Sequence, residues 1–255
     1  MNTYTTSEIA KIIGIHPNTV RLYEECGLIP KPKRRKNGYR EFTDFHIEQF
    51  KIARTALKEE VLQNGLRKKA INIIKISANG DFDNAIYLAK DYLKQIKKEQ
   101  VNAEEAIEIV RDMLSGNESN QIVDSLCLRR KEAADYLQIT IDTLRNWEMN
   151  GLLNIKRKQN GYRIYTEEDI MRLKVIRSLR CANYSLSSIL RMLEALSINP
   201  NVNIRKIIDT PREDDDIVSV CDKLLTSLKN AELNAQELIT QLKKMKKQFK
   251  LYPPF

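Results

Sequence analysis

Two short stretches near the start of the chain carry apolar residues at helical spacing, and a tight turn separates them. The apolar face of the first stretch is formed by Ile9, Ala10, Ile12 and Ile13. This spacing predicts a helix that is capped by Thr6 or Ser7 and ends at Gly14. Pro17 suits the first position of a second helix, because a proline there loses no hydrogen bond. The pattern therefore predicts a helix, a turn and a second helix.

The second helix is predicted to bury only part of its surface. Its inward side chains are expected to be Val20, Leu22 and Tyr23, and its outward side chains Asn18, Thr19 and Arg21. The basic segment KPKRRKNGYREF comes next, and its Asn37-Gly38 pair signals a two-residue hairpin turn. Because a helix pair this short buries too little apolar surface alone, we expect the hairpin to pack beside it.

The same pattern recurs between Cys127 and Leu153, in CLRRKEAADYLQITIDTLRNWEMNGLL. The repeat aligns Arg21 with Arg145, and the later KRKQNGYRIYT matches KRRKNGYREFT. Two matches of this length indicate that the chain contains two copies of one module.

Two more helices are predicted after each copy. In the first copy, Thr43 caps a helix that runs through Leu57, and another helix follows Asn64. In the second copy, TEED at 166–169 predicts a capped helix start, and a further helix covers 187–196. Each module is therefore expected to be a winged helix-turn-helix. The predicted fold class is mainly α, with two such domains, each with a small β-hairpin wing, a helical linker and a C-terminal coiled-coil helix.

Helices are also predicted between the modules and after them. Between them, Ala85–Lys98 forms one helix, and Asn102 caps another that runs to Leu114. After them, a helix starting near Ile217 has apolar residues in alternating steps of four and three, which predicts a coiled-coil seam. The seam residues are Leu224, Leu228, Ala231, Ala235, Leu238, Leu242, Met245 and Phe249, with Cys221 in the same register. The predicted domain boundaries are 1–76, 77–125, 126–197 and 198–255.

The seam needs a helical partner, and the sequence offers two. One is the region 85–114, and pairing there would make an intramolecular pseudo-dimer. Its shorter apolar stripe is expected to be Ile86, Ala89, Leu93 and Ile96. The break expected near Asn102 counts against this partner. The other partner is the same helix of a second chain, which would make a homodimer. A tethered partner has the advantage of a higher effective concentration, and intramolecular pairing is the preferred alternative.

Charge narrows the range of binding partners. The 255 residues carry a formal net charge of +9 with a pI of about 9.3, which favours a polyanionic partner. Basic clusters precede both predicted hairpin turns, so the charge recurs at the same place in each copy. We see no secretory signal and no apolar run long enough to span a bilayer. The four cysteines are scattered, as expected for reduced thiols in the cytoplasm.

A winged helix-turn-helix is a structure that contacts double-stranded DNA through the major groove. The candidate base-reading residues are His16, Asn18 and Thr19 in the first copy and Thr140, Asp142 and Thr143 in the second. Asn18 suits adenine and Asp142 suits the amino group of cytosine, although either residue can simply cap its helix. Arg21 and Arg145, further along, are expected to bind phosphates.

The wings and two aromatic residues complete the candidate DNA-binding set. The wing candidates are Lys36, Tyr39 and Arg40 in the first copy and Lys158, Tyr162 and Arg163 in the second. Arg40 and Arg163 are expected to anchor the wing on the DNA backbone. Tyr23 and Trp147 are expected to be core aromatics whose O–H or N–H can also reach a phosphate.

The stretches IAKIIGIHPNTVRLYEECGLIP and NGYREFT resemble the N-terminal domain of the MerR family of bacterial transcription regulators. AADYLQITIDTLRNWEMNGLL, NGYRIYTEEDI and YSLSSI resemble it too. The resemblance implies a bacterial, nucleoid-associated regulator that distorts or occupies promoter DNA and meets RNA polymerase indirectly there. It implies recognition-helix arginines at Arg21 and Arg145. It also implies wing pairs at Tyr39-Arg40 and Tyr162-Arg163.

The sequence departs from the family pattern in several places. Family members usually carry one such domain, and the aromatic residue usual after the recognition arginine is replaced by Leu22 and Asn146. No cysteine follows the long helix, so the metal-binding loop of the metal sensors is missing, and Cys221 is better explained as a seam residue. His16 and His46 also lack ligand spacing. We therefore expect no metal and no cofactor.

An enzyme is not expected, because the chain has no Gly-rich phosphate loop, HExxH, CxxC or nucleophile elbow. Two alternatives to a promoter regulator stay open at this point. One is an architectural or recombination-accessory DNA-binding protein. The other is a helical scaffold whose basic hairpins bind acidic proteins. The expected partner is double-stranded DNA, with no membrane.

Overall fold

The computed structural model describes residues 2–58, 65–115, 127–155, 163–199, 201–211 and 223–249. Within these ranges the chain is mainly helical with two small antiparallel sheets, which confirms the predicted fold class. The helices are α1 (Thr6–Ile13), α2 (Pro17–Glu25), α3 (Asp44–Ala56), α4 (Leu66–Ala78), α5 (Phe82–Ser115), α6 (Arg130–Tyr136), α7 (Ile141–Met149), α8 (Glu167–Cys181), α9 (Leu186–Ile198), α10 (Ile204–Ile208) and α11 (Leu224–Phe249). The strands are β1 (Thr3–Tyr4), β2 (Lys33–Arg34), β3 (Arg40–Thr43), β4 (Leu128–Arg129) and β5 (Ile164–Tyr165).

The chain divides into two compact units. The first unit contains residues 1–98 and 227–255, and the second unit contains residues 99–226. The long helices α5 and α11 each contribute residues to both units. Among the described residues, no helix is long and apolar enough to cross a membrane.

Helices α1 and α2 form the predicted helix-turn-helix. The cap of α1 is Thr5 rather than Thr6 or Ser7, because Thr5 and Glu8 form a reciprocal capping box. Gly14 ends the helix with a φ of 71°, a left-handed conformation that suits glycine. Leu22 is exposed rather than inward, with 53% of its surface accessible. The inward face of α2 is narrower than predicted, with Val20 fully buried.

The wing of the first module differs from the prediction at its turn. Gly38 N–H donates to the carbonyl of Arg35 over 2.8 Å, and Arg35 N–H donates to the carbonyl of Tyr39 over 2.9 Å. The connection is therefore a three-residue loop from Lys36 to Gly38, with Gly38 left-handed, and not a two-residue turn. Strand β1 adds a third strand that the sequence did not predict, in the order β1-β3-β2.

The two helices predicted after the first wing are present as α3 and α4. The core cluster beneath α1 and α2 consists of Ile9, Ala10, Val20, Ile29, Phe42, Ile47 and Phe50. Gln49 is fully buried on α3, and its Nε2 donates to the carbonyls of Leu28 and Ile74. Gln49 Oε1 accepts from the hydroxyl of Ser77, so its hydrogen bonds connect the end of the helix-turn-helix to α4.

The second module repeats this construction. Strands β4 and β5 pair in the register of β1 and β3, with Leu128 opposite Tyr165. Arg172 takes the place of Gln49, and its Nε donates to the carbonyl of Leu152 over 2.7 Å. Thr166 and Asp169 form the predicted capping box at the start of α8. The predicted wing turn, with Lys158 and Tyr162, lies outside the described residues.

Helix α5 is continuous, so the break predicted near Asn102 is wrong. Its buried stripe in the first unit also differs from the predicted one, because Ile86 and Leu93 are only half-buried. The stripe consists of Phe82, Ala85, Ala89, Tyr92 and Ile96. Every predicted seam residue from Leu224 to Phe249 is buried on α11. The predicted start near Ile217 and Cys221 lie outside the described residues.

In the first unit, α11 packs antiparallel to α5 and also contacts α3. Lys97 pairs with Glu232 at one end of the contact, and Asp83 pairs with Lys246 at the other. The ring centroids of Phe249 and Phe45 on α3 lie 5.1 Å apart. The predicted seam is therefore covered by helices of the same chain in this unit.

Candidate nucleic-acid interface

The first recognition helix, α2, begins with three polar side chains that organise one another. His16 is the N-cap, and its Nδ1 accepts from the backbone N–H of Asn18 over 3.1 Å. In a neutral imidazole this leaves the proton on Nε2, so the exposed edge of the ring is a hydrogen-bond donor. Asn18 Oδ1 in turn accepts from Arg21 over 3.1 Å. The exposed guanidinium of Arg21 is thereby held near the start of the helix.

The second recognition helix, α7, begins differently. Thr140 is the N-cap, and its hydroxyl accepts from the backbone N–H of Thr143 over 3.0 Å and contacts the Thr143 hydroxyl at 2.8 Å. These two predicted base-reading hydroxyls are therefore engaged with each other. Asp142 and Arg145 are exposed, so α7 presents one carboxylate and one guanidinium.

The two aromatic candidates lie behind the recognition helices. Tyr23 is half-buried, and its ring stacks on Phe50 with centroids 5.4 Å apart. Trp147 is buried, with only 4% of its surface accessible. Both rings support their helix from the core side.

The first wing is an exposed basic loop. Residues from Lys33 to Lys36 are exposed, and Tyr39 near the turn has 70% of its surface accessible. Arg35 pairs with Glu41 over 3.1 Å. The wing therefore offers cationic side chains and one accessible aromatic ring next to each other.

Arg40 connects the wing to the recognition helix. Its Nε donates to Glu24 Oε2 on α2 over 2.5 Å, and both side chains are largely shielded from solvent. An ion pair in this partly buried position fixes the angle between wing and helix more firmly than a surface pair would. The predicted phosphate contact of Arg40 stays a prediction.

The second module has a larger version of this pair. Glu148 on α7 accepts from Arg163 over 3.0 Å, from Arg130 over 2.6 Å and from the hydroxyl of Tyr165. The Glu148 side chain is only 8% exposed. Burial, followed by the hydrogen bond to Glu148, raises the pKa of Tyr165 to about 12, so its hydroxyl stays a donor at neutral pH.

Sequence reasoning missed both ion pairs, although a signal was present. Glu24 and Arg40 occupy aligned positions to Glu148 and Arg163, so a carboxylate and a guanidinium recur at the same two places. The added partners in the second module come from two differences between the copies. Arg130 aligns with Thr6, and Tyr165 aligns with Phe42.

The described residues contain no group of three or more His, Cys, Asp or Glu side chains that could hold a metal ion. Cys26, Cys127 and Cys181 are free, exposed thiols. Each module therefore exposes the start of one helix, α2 or α7, and an arginine on the outward face of that helix, Arg21 or Arg145. In the first module a basic wing is held beside it.

Comparison with known sequences gives matches in both modules. The pattern described as "MerR family regulatory protein" matches residues 5–42, and that described as "MerR HTH family regulatory protein" matches residues 128–196. No solved structure gives a significant match.

Curated relatives match the chain over different lengths. The HTH-type transcriptional regulator CueR of Escherichia coli O157:H7 is 42% identical over 50 residues, which is 20% of this chain and 37% of CueR. The HTH-type transcriptional regulator ZntR of Escherichia coli strain K12 is 40% identical over 70 residues, or 27% of this chain and 49% of ZntR. A probable heavy metal-dependent transcriptional regulator of Haemophilus influenzae is 35% identical over 115 residues, or 45% of this chain and 76% of the relative. The chain thus spans little more than a third of CueR and about half of ZntR.

Proposed function

The chain belongs to the MerR family of regulatory proteins, and we propose that it is a transcription regulator that binds one double-stranded DNA site through two non-identical modules. The observation that carries this proposal is the repeated helix-turn-helix, in which α2 and α7 each present an outward arginine at the middle of the helix. An exposed helix of this kind fits the major groove of DNA.

Within each module, we assign different tasks to the side chains. On α2, His16 Nε2–H and Asn18 are placed to contact base edges, and Arg21 contacts a phosphate or a guanine edge. On α7 the same tasks fall to Asp142 and Arg145, because Thr140 and Thr143 cap the helix. Lys36 and Tyr39, and in the second copy Lys158 and Tyr162, contact the backbone from the wings.

The wing arginines act in this proposal through their glutamates. Arg40 bonds β3 to α2 through Glu24, and Arg163 bonds the residue before β5 to α7 through Glu148. A wing fixed in this way reaches the DNA backbone while the helix lies in the groove. Arg40 and Arg163 are therefore positioning residues first, and any phosphate contact they make is additional.

Because α2 and α7 begin with different polar side chains, we expect the DNA site to be asymmetric. The first module reads with an imidazole, an amide and a guanidinium, whereas the second reads with a carboxylate and a guanidinium. A carboxylate accepts from cytosine N4 but is repelled by phosphates, so we expect the second module to bind more weakly. At a promoter, occupation or distortion of such a site would regulate transcription by RNA polymerase.

Loss of the recognition arginines should weaken DNA binding. We expect Arg21→Ala and Arg145→Ala each to lower affinity about tenfold and to reduce the slope of log affinity against log salt by about one for each phosphate interaction removed. Lys90→Ala removes an exposed charge from α5, outside both modules, and should change neither quantity. Affinity is measured by fluorescence anisotropy on a selected duplex at several salt concentrations. Wild-type affinity in both arginine variants would refute the interface.

We also propose that the two modules of one chain act as a pseudo-dimer. Support comes from α11, whose seam from Leu228 to Phe249 is buried against α3 and α5 of the same unit. Sedimentation at micromolar concentration should give a mass near 29.7 kDa. A mass near twice this value, abolished by charged substitutions at Leu228 and Leu238, would instead establish a homodimer.

A further inference from the structure

A groove with a volume of about 600 Å³ lies within the second unit, away from the recognition helix α7. Its walls are the second half of α5, the end of α6 and one face of α8. Cavities of this volume are in the range that accommodates small organic molecules.

The floor of the groove is apolar, and its rim is partly open to solvent. Ala106 and Leu137 are buried at the floor. Tyr136 and Ile109 lie at the rim with 52% and 45% of their surface accessible. The groove therefore combines an apolar base with an accessible aromatic ring and an accessible aliphatic side chain.

The charges of the two long walls are opposite in sign. On α8, Lys174 and Arg177 lie one helical turn apart, and the Lys174 ammonium sits 5.6 Å from the centre of the Tyr136 ring. On α5, Glu105 is the acidic residue among those that line the groove. A negatively charged group is therefore favoured against α8 and disfavoured against α5.

In the first module, the surface of α3 that aligns with the groove face of α8 is contacted by α11. Thr55 on α3 aligns with Ser178, which lines the groove. In the first unit, Gln241 of α11 donates from Nε2 to the Thr55 hydroxyl over 3.0 Å, and Lys244 approaches Glu48 at 3.7 Å. Thr55 is thus in contact with a side chain of α11 in the first module, whereas Ser178 lines the groove formed by the described residues of the second.

We propose that this groove binds a small organic anion with an aromatic or aliphatic body. The body lies on Ala106 and Leu137 beside the Tyr136 ring, and the anionic group faces Lys174 and Arg177. Charge-assisted contacts to two cations give the site its preference for anions, and the apolar floor gives it affinity for the body. The proposal concerns ligand binding alone, so it does not depend on the DNA-binding function.

The test uses two fluorescent probes on the full chain without DNA. 8-Anilinonaphthalene-1-sulfonate has the anionic group and the aromatic body, and N-phenyl-1-naphthylamine has the body without the sulfonate. We expect saturable binding of the sulfonate at one site per chain, with affinity about tenfold or more above that of the neutral amine. Absence of saturable binding, or equal affinity for the two probes, would overturn the proposal.

Substitutions locate the probe. The double variant Lys174→Gln/Arg177→Gln should weaken sulfonate binding about tenfold or more. Its matched control is Lys51→Gln/Arg54→Gln, at the aligned and exposed positions of α3, which should leave binding unchanged. Ile109→Glu, at an exposed helix position, adds a second carboxylate opposite α8 and should also weaken binding. Circular dichroism establishes that each variant is folded. Wild-type affinity in the α8 variant and in Ile109→Glu would place the probe elsewhere and refute the site.

Discussion

The two modules share one backbone plan but use different side chains to hold it. In both modules, the residue after the turn donates its backbone N–H to a carbonyl of the preceding helix. Ile15 donates to Ala10 over 2.9 Å, and Ile139 donates to Ala134 over 3.0 Å. The first module makes its turn with Gly14, whereas the second holds Gln138 at a positive φ of 52°. The same second backbone bond closes the turn in both modules, from Gly14 N–H to the Lys11 carbonyl and from Gln138 N–H to the Asp135 carbonyl.

The two modules differ more in the side-chain bonds that hold their recognition helices. Glu24 accepts from Arg40 in the first module, whereas Glu148 accepts from Arg130, Arg163 and Tyr165 in the second. The second recognition helix is thus bonded to α6 and to the sheet by three side chains, whereas the first is bonded to its sheet by one. We infer that the two copies have diverged in how firmly α2 and α7 are held as well as in the polar side chains that these helices expose.

The largest expected contrast concerns acid stability. His46 forms the capping box of α3 in the first module, with Nδ1 accepting from Thr43 N–H over 3.0 Å, where the second module uses Asp169. Burial lowers the pKa of His46 from 6.5 to about 4. Between these values the unfolded chain binds the proton and the folded chain does not, so stability is lost as pH falls. The total loss is about 3 kcal/mol by pH 4.

The substitution His46→Gln should remove this pH dependence, because glutamine completes a capping box without titrating in this range. Urea denaturation of the wild type and the variant between pH 7 and 4 measures how the free energy of unfolding depends on pH. Arg54→Gln, at an exposed position of the same helix, serves as the control, because arginine does not titrate in this range, and the wild-type profile is expected. Identical profiles for wild type and His46→Gln would show that the buried imidazole does not titrate as described.

A smaller contrast is expected between the two glutamates. Glu148→Ala leaves two guanidinium groups and a phenol without their acceptor, whereas Glu24→Ala leaves one guanidinium. Because the arginines are partly solvated, we expect local losses of about 2 kcal/mol and about 1 kcal/mol respectively. Native-state hydrogen exchange resolves the two sites, in α7 and β5 for Glu148 and in α2 and β3 for Glu24.

Tyr165→Phe sharpens this comparison, because it converts the second module towards the first, where Phe42 stands at the aligned position. It should cost less protection than Glu148→Ala. Equal effects of Glu148→Ala and Glu24→Ala would contradict the view that the second helix is held more firmly.

Hydrophobic periodicity predicted most of the helices. The seam of α11 was predicted residue by residue, since a heptad pattern identifies buried positions whatever the partner. The helices that cover the seam are less predictable. The sequence predicts two helices where α5 is continuous, because asparagine is a residue that often caps helices. Leu22 was placed inward by the pattern, yet it is exposed, because α2 is packed on one side only.

The candidate site was predictable to a lesser degree. The exposed starts of α2 and α7 follow from the repeat, but the bonds between side chains do not. The sequence predicts that Asn18 faces outward and either contacts adenine or caps α2, whereas in the structure its Oδ1 accepts from Arg21. The pairing of Arg40 with Glu24 joins residues that are 16 positions apart, and only the packed wing brings them together.

The central claim is that one chain reads DNA with two unlike modules. Selection of binding sites from random double-stranded DNA by the full-length protein tests it most directly. The account predicts an enriched motif with two dissimilar half-sites, one of which changes with substitutions at Asn18 and the other with substitutions at Asp142. Recovery of one symmetric motif, or of no motif above background, would contradict it.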